Sequence, residues 1–207
     1  MAARSASGST KEAPVAERRP RADAVRNRAR LLEVATAVFE EQGPDASLEE
    51  IARTAGVGIG TLYRHFPTRE SLLEAVFAER IETVTALGDE LLEAPDAFDA
   101  LTRWLRAHLT NASACQGLVG SVVIDLLDDH LLGEDHEPPC AQMREVGAQL
   151  LKRAQDEGTA RPDAHADDLV RLVNALVSAT DDADDRAALT DRLFTLMVDG
   201  LRTPGTR

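Results

Sequence analysis

Ser47-Leu48-Glu49-Glu50-Ile51-Ala52-Arg53-Thr54-Ala55-Gly56-Val57-Gly58-Ile59-Gly60-Thr61-Leu62-Tyr63-Arg64-His65-Phe66 decides the fold. Its first four residues have the form of a capping box. The Ser47 hydroxyl can accept from the backbone of Glu50, and the Glu50 carboxylate can reach back. A short helix is expected over Leu48–Ala55. Gly56-Val57-Gly58 breaks it, because Gly56 can take the left-handed conformation that a tight turn requires. A second short helix is expected over Ile59–Phe66. A capped helix, a glycine turn and another short helix make a helix-turn-helix over residues 47–66. Small residues at the tip of the second helix, Gly58, Gly60 and Thr61, let a backbone approach base edges in a major groove. Tyr63, Arg64 and His65 follow with hydroxyl, guanidinium and imidazole donors for phosphate.

Working outward, Leu31, Ala35, Val38 and Phe39 recur at helical spacing, and Gly43-Pro44 ends that helix. Residues 1–23 lack periodicity and read as a disordered basic arm, with order beginning near Ala24. On the other side Pro67 closes the pair of helices. Thr68 then caps a fourth helix with the stripe Leu73, Val76, Phe77, Ile81 and Val84. Phe98, Leu101, Trp104, Leu105, His108 and Leu109 share one face of a fifth. A sixth is expected over about Cys115–Asp128 and a seventh over about Pro139–Glu157, with an acidic loop between them. Leu169, Leu172, Val173, Leu176 and Val177 mark an eighth, and Leu189, Leu193, Leu196, Met197 and Leu201 a ninth. No alternating strand pattern or internal repeat occurs. The expected fold is all-α with about nine helices. Residues 24–84 hold the helix-turn-helix with its flanking helices, and residues 85–207 make a second helical domain, to which the resemblance described below assigns effector binding and dimerisation.

Charge divides the chain in the same sense. Its formal net charge is −13, from 23 basic and 36 acidic residues. Yet Met1–Arg30 holds eight basic residues against three acidic ones, and Met1–Arg80 holds twelve of each. The whole negative excess lies beyond Arg80, so one end can approach a phosphate backbone that repels the other. No run approaches the roughly 20 apolar residues that span a bilayer. The N-terminal charges are not followed by an apolar segment, so no secretory signal is expected. Two cysteines, Cys115 and Cys140, make no disulfide framework, and a cytoplasmic setting is expected.

The run Leu48 to Leu73, and within it Gly60-Thr61-Leu62-Tyr63-Arg64-His65-Phe66, resembles the signature of TetR-type repressors. The resemblance covers roughly Asp23–Val84. It implies base reading near Gly58, Ile59, Gly60 and Thr61. It implies phosphate contacts from Ser47, Tyr63, His65 and Arg69, with Arg53 a further candidate, over a core of Ile51, Ala55, Leu62 and Phe66. Gly58 departs from the family, where many members carry Ser or Thr, and so removes a possible hydroxyl contact. The resemblance further implies a homodimer on a palindromic operator, joined through the last two helices, and release by a small-molecule effector. The basic arm is read as a phosphate tether, with insertion into the adjacent minor groove as the alternative.

Motifs thin out in the second half. The turn Gly158–Asp163 with Asp167-Asp168-Leu169 also resembles the approach to the penultimate helix in that family. The expected effector contacts are the polar or soft groups near apolar stretches: Trp104, His108, Cys115, Gln116, Asp125, Met143 and Arg144. His130, His136 and Cys140 fit no standard zinc spacing, so no metal and no cofactor is expected. The glycines at 56, 58 and 60 fail the dinucleotide-loop spacing and follow no strand. With no nucleophile elbow or paired-histidine motif either, the chain is not expected to be an enzyme.

Overall fold

The computed structural model describes residues 18–116, 139–181 and 183–203, with the side chains of residues 18–22, 115, 116 and 139 outside that description. Eight helices occur among the described residues: α1 (Arg18–Gln42), α2 (Leu48–Thr54), α3 (Ile59–His65), α4 (Arg69–Leu91), α5 (Ala97–Gln116), α6 (Pro139–Asp156), α7 (Ala166–Ala179) and α8 (Arg186–Leu201). The only extended pairing described is one isolated bridge, Ala160 with Arg202. The helix expected at Cys115–Asp128 falls mostly outside the described residues.

Helix α1 begins at Arg18, six residues ahead of the expected onset at Ala24. Pro20 lies in its first turn, where an N–H would have no intrahelical carbonyl to bond and its absence costs nothing. The surrounding Arg and Ala residues favour helix, and Asp23 pairs with Arg26 one turn on. The helix ends at Gly43, whose φ of 84° an L side chain adopts poorly.

Two apolar clusters share helix α4. Leu31, Leu32, Ala35 and Phe39 of α1 close on Leu48, Ile51, Ala52 and Ala55, on Leu62 and Phe66, and on Leu72, Leu73 and Val76 of α4. The second cluster takes Ile81, Val84 and Leu91 from the far end of α4, with the inner faces of α5 to α8. Along α4, Val76 is the last buried residue of the first cluster and Ile81 the first of the second. Two arginines lock this shared helix. Arg69 Nη1 donates to the carbonyls of Pro44 (2.7 Å) and Ala46 (2.6 Å), holding the α1–α2 loop to the start of α4. Arg153 of α6 donates to the carbonyls of Leu91 (3.3 Å), Leu92 (2.6 Å) and Ala94, holding its end.

In the last two helices the apolar residues divide between two faces. Phe194, Val198 and Leu201 of α8 point into the second core, whereas Leu196 is 67% exposed. Leu189, Leu193 and Met197, which the periodicity placed on one stripe with Leu196, are only partly buried. In α7, Leu169, Val173 and Val177 are buried and Leu172 is 47% exposed. The chain then returns beside the α6–α7 loop, where Arg161 N–H donates to the Leu201 carbonyl (2.9 Å) and Thr203 N–H to that of Thr159 (3.0 Å).

Candidate nucleic-acid interface

Helices α2 and α3 meet through the turn at Gly56, whose φ is 70°. Gly56 N–H donates to the Arg53 carbonyl (3.1 Å) and Val57 N–H to that of Ala52 (3.0 Å), so the end of α2 is closed by backbone alone. Ile51, Ala55, Leu62 and Phe66 are all buried, as expected, and they set the angle between the two helices. Ser47 caps α2 by accepting from Glu50 N–H (3.3 Å). The reciprocal half of the expected box is missing. Glu50 instead approaches Arg53 (3.6 Å), and the Ser47 hydroxyl donates to Glu49 (3.0 Å). Backbone amides at the helix start and the Ser47 hydroxyl hold the Glu49 carboxyl below its ordinary range, so it stays ionised beside the cap.

Helix α3 presents the face that the sequence singles out. Gly58 and Gly60 are exposed, and a Cβ at either would meet nothing within 4 Å. Ile59 packs partly against the first core and Thr61 is half-buried, so both lie at the margin of that face. Tyr63 is 46% exposed, Arg64 is exposed and His65 half-buried. Leu62 and Phe66 anchor the opposite side.

Arg69 and Arg53, both expected at phosphates, also make contacts within the chain. Arg69 is partly buried and spends Nη1 on two carbonyls, which makes it a brace between α4 and the loop before α2. Arg53 is exposed and faces Glu50. A third arginine was overlooked. The Arg28 guanidinium lies over the Phe66 ring, 5.3 Å from its centroid. Positions 28, 32, 35 and 39 follow helical spacing, so extending the α1 stripe backwards would have found it.

The expected effector residues fall into three groups. Trp104, His108 and Met143 are buried in the second core, with 1%, 4% and 2% exposure. Arg144 is half-buried on α6. Cys115 and Gln116 lie in the last turn of α5 with side chains outside the description, and Asp125 lies outside the described residues altogether. Trp104 and His108 stack, with ring centroids 6.0 Å apart and planes 16° apart. Burial pushes the His108 pKa down to about 4, so the imidazole is neutral at pH 7. An open groove of about 390 Å³ that the sequence did not suggest runs between α5 and α8, lined by Arg106, Leu109, Thr110, Arg186, Thr190 and Asp191 among others. Among the described residues no group of His, Cys, Asp and Glu is arranged to hold a metal ion, and no helix is long and apolar enough to cross a membrane.

This architecture agrees with comparisons to known proteins. The family profile "Bacterial regulatory proteins, tetR family" matches residues 31–76, and "Transcriptional regulator SbtR-like, C-terminal domain" matches residues 96–203. The chain belongs to the TetR family. The solved structure of the TetR transcriptional regulator SCO0520 from Streptomyces coelicolor is 31% identical, with a TM-score of 0.68 over 86% of this chain and 99% of that one. A TetR regulatory protein from Mycobacterium vanbaalenii is 34% identical, with a TM-score of 0.62 over 89% and 99%. The HTH-type regulator TtgW from Pseudomonas putida is 45% identical over 64 residues, 30% of this chain. The chain spans 35% and 48% of the length of the first two curated relatives it matches. It is a transcriptional regulator with a TetR-type DNA-binding domain.

Proposed function

We propose that this TetR-family regulator is a cytoplasmic repressor that binds a palindromic operator as a homodimer and leaves it when a small-molecule effector binds in the second core. The observation that carries the reading is the course of helix α4. It starts at the reading unit, ends in the second core, and is fastened to both by arginine-to-carbonyl bonds. A displacement of its far end therefore moves the reading head as a unit. In this reading Gly58, Ile59, Gly60 and Thr61 face bases, while Ser47, Tyr63 and His65 face phosphates. Arg64, exposed on the same helix, and Arg53, exposed on α2, join them, and Arg69 braces the loop before α2.

The outer faces of α7 and α8 supply the seam. Leu172 and Leu196 are large apolar side chains left substantially exposed, and the stripe beside Leu196 is only partly covered. Two copies packed about a two-fold axis would bury them as a four-helix contact. That contact sets the spacing of the heads, which must be about 34–36 Å for successive major grooves. An effector can shift the equilibrium only by binding one spacing better than the other.

Selection of bound sequences from a random duplex library, at a stated salt concentration, tests this. Enrichment of a palindrome is expected. Binding that enriches no sequence and vanishes at moderate salt would leave only a nonspecific phosphate contact and sink the proposal.

A further inference from the structure

Among the described residues, Trp104 and His108 are the two buried side chains with none of their polar atoms bonded: the indole Nε1 and both imidazole nitrogens lack a partner. The other unmatched atoms, Arg80 Nε and Thr203 Oγ1, are single and lie on separate residues, and Arg80 pairs with Glu40 through Nη2. A buried polar group without a partner is destabilising, and folded proteins hold few of them. Three such atoms on two stacked rings, one helical turn apart, are a concentrated deficit.

From this pair we infer a ligand anchor: Trp104 and His108 together bind an uncharged, hydroxyl-bearing, otherwise apolar effector. The inference rests on the effector-released reading above and names its ligand class. An indole N–H only donates, and a neutral imidazole offers one donor and one acceptor. A hydroxyl both donates and accepts, so it can meet either ring. A carboxylate accepts only, leaves the imidazole acceptor unmet, and brings a charge into an aliphatic core. An ammonium has no acceptor for the indole N–H, and it too brings a charge into the core.

The surroundings of Trp104 say what the ligand can move. A Cβ at Gly88 of α4 would stand 3.0 Å from the indole Nε1 and Cδ1, and one at Gly147 of α6 would stand 2.3 Å from Cη2. The indole therefore packs against the backbone of α6 at Gly147 and, beside the Val146 side chain, against α4 at Gly88. A ligand that shifts Trp104 presses on the same helix that carries the reading head.

Trp104 is the only tryptophan in the chain, so its fluorescence reports this site without a label. The full chain is titrated with phenol, and with benzoate and benzylammonium as charged probes of similar size. Phenol is expected to give a saturable fluorescence change, with an affinity on the order of millimolar for so small a ligand. The two charged probes should give none. His108→Phe should keep the fold and weaken phenol by about tenfold, the loss of one net hydrogen bond. The inference is overturned if phenol gives no saturable change, if His108→Phe binds it equally well, or if benzoate matches it. The first of those outcomes would mean that water alone meets these nitrogens. Palindrome selection on the same preparation separates the two claims. Enrichment without a phenol response overturns this inference only, and a phenol response without enrichment overturns the repressor reading only.

Discussion

In the first core, the α2 and α4 caps and the α1–α2 loop find partners nearby: Ser47 accepts from Glu50, Thr68 and Ser71 cap each other reciprocally, and Arg69 closes the loop carbonyls. In the second core, Trp104 and His108 sit buried with three nitrogens unmet. The same helix, α4, passes through both. A unit with its polar groups satisfied behaves as a rigid body, and one with a deficit has a reason to take up something else. In the function proposed above, the reading head holds its shape and the second core changes when its deficit is met.

The largest effect should come from Trp104→Ala, which empties the seat between Gly88 and Gly147. A loss of about 3–5 kcal/mol in urea unfolding is expected, typical of a buried large-to-small change. The palindrome preference of whatever remains folded should be unaltered, because no side chain of α3 touches that seat. A normal stability for this variant would mean that the indole is not wedged as described.

His108 should give the next largest effect, through pH. Its pKa is about 4 in the folded chain, against 6.5 for an ordinary histidine. Well above pH 6.5 the imidazole is neutral in both states and makes no difference. As pH falls from 6.5 towards 4, the unfolded chain takes a proton that the folded chain refuses. Stability therefore drops, by about 3 kcal/mol over the full window. Unfolding midpoints of the parent and of His108→Phe should diverge across that window and run parallel above it. Parallel behaviour throughout would remove burial as the cause of the low pKa.

Legibility in the sequence divides along the same line. The reading head depends on local signals: a cap, a positive-φ glycine, and apolar residues at helical spacing. All of these act within a few residues, so Ser47, Gly56, Leu62 and Phe66 were legible. Arg69 was not, because its partners lie more than 20 positions away across a loop. The same holds for the second core. Periodicity found Trp104 and His108 on one face of α5, but nothing local reveals that Gly88 and Gly147 flank the indole. It also gave the last helix as one stripe. Only packing shows that Phe194 and Val198 point inward while Leu196 points out.

Arg69→Ala sharpens the comparison from the first core. The side chain serves two carbonyls of the α1–α2 loop, so its removal should cost about 1.5–3 kcal/mol of stability. The salt slope of DNA binding should change little. A slope lowered by about one ion at unchanged stability would instead return Arg69 to the phosphate contacts.

Tyr63→Phe should leave stability alone, since the ring stays and its exposure is 46%. Affinity should fall by about fivefold for all DNA sequences alike, the worth of about 1 kcal/mol for one neutral hydrogen bond. The salt slope should hold, because no cation is lost. A change in preferred sequence would move Tyr63 from the backbone to the bases.

Gly58→Ser makes the smallest change in the fold and the most specific one in reading. The glycine has φ −72° and ψ 147°, a conformation open to any residue, and a Cβ there meets nothing within 4 Å. It is also the N-cap of α3, where no side chain now caps the helix. Serine at that position should raise stability by no more than a few tenths of a kcal/mol. The added hydroxyl would stand at the tip of the reading helix, where it can donate to or accept from a base edge. Library selection should then return a palindrome altered at one position in each half-site, with its spacing retained. An unaltered motif would mean that the Gly58 end of α3 stands clear of the bases, and reading would fall to Gly60 and Thr61. An altered spacing would mean that the mutation had moved the heads, which a side chain pointing into open space has no contact to do.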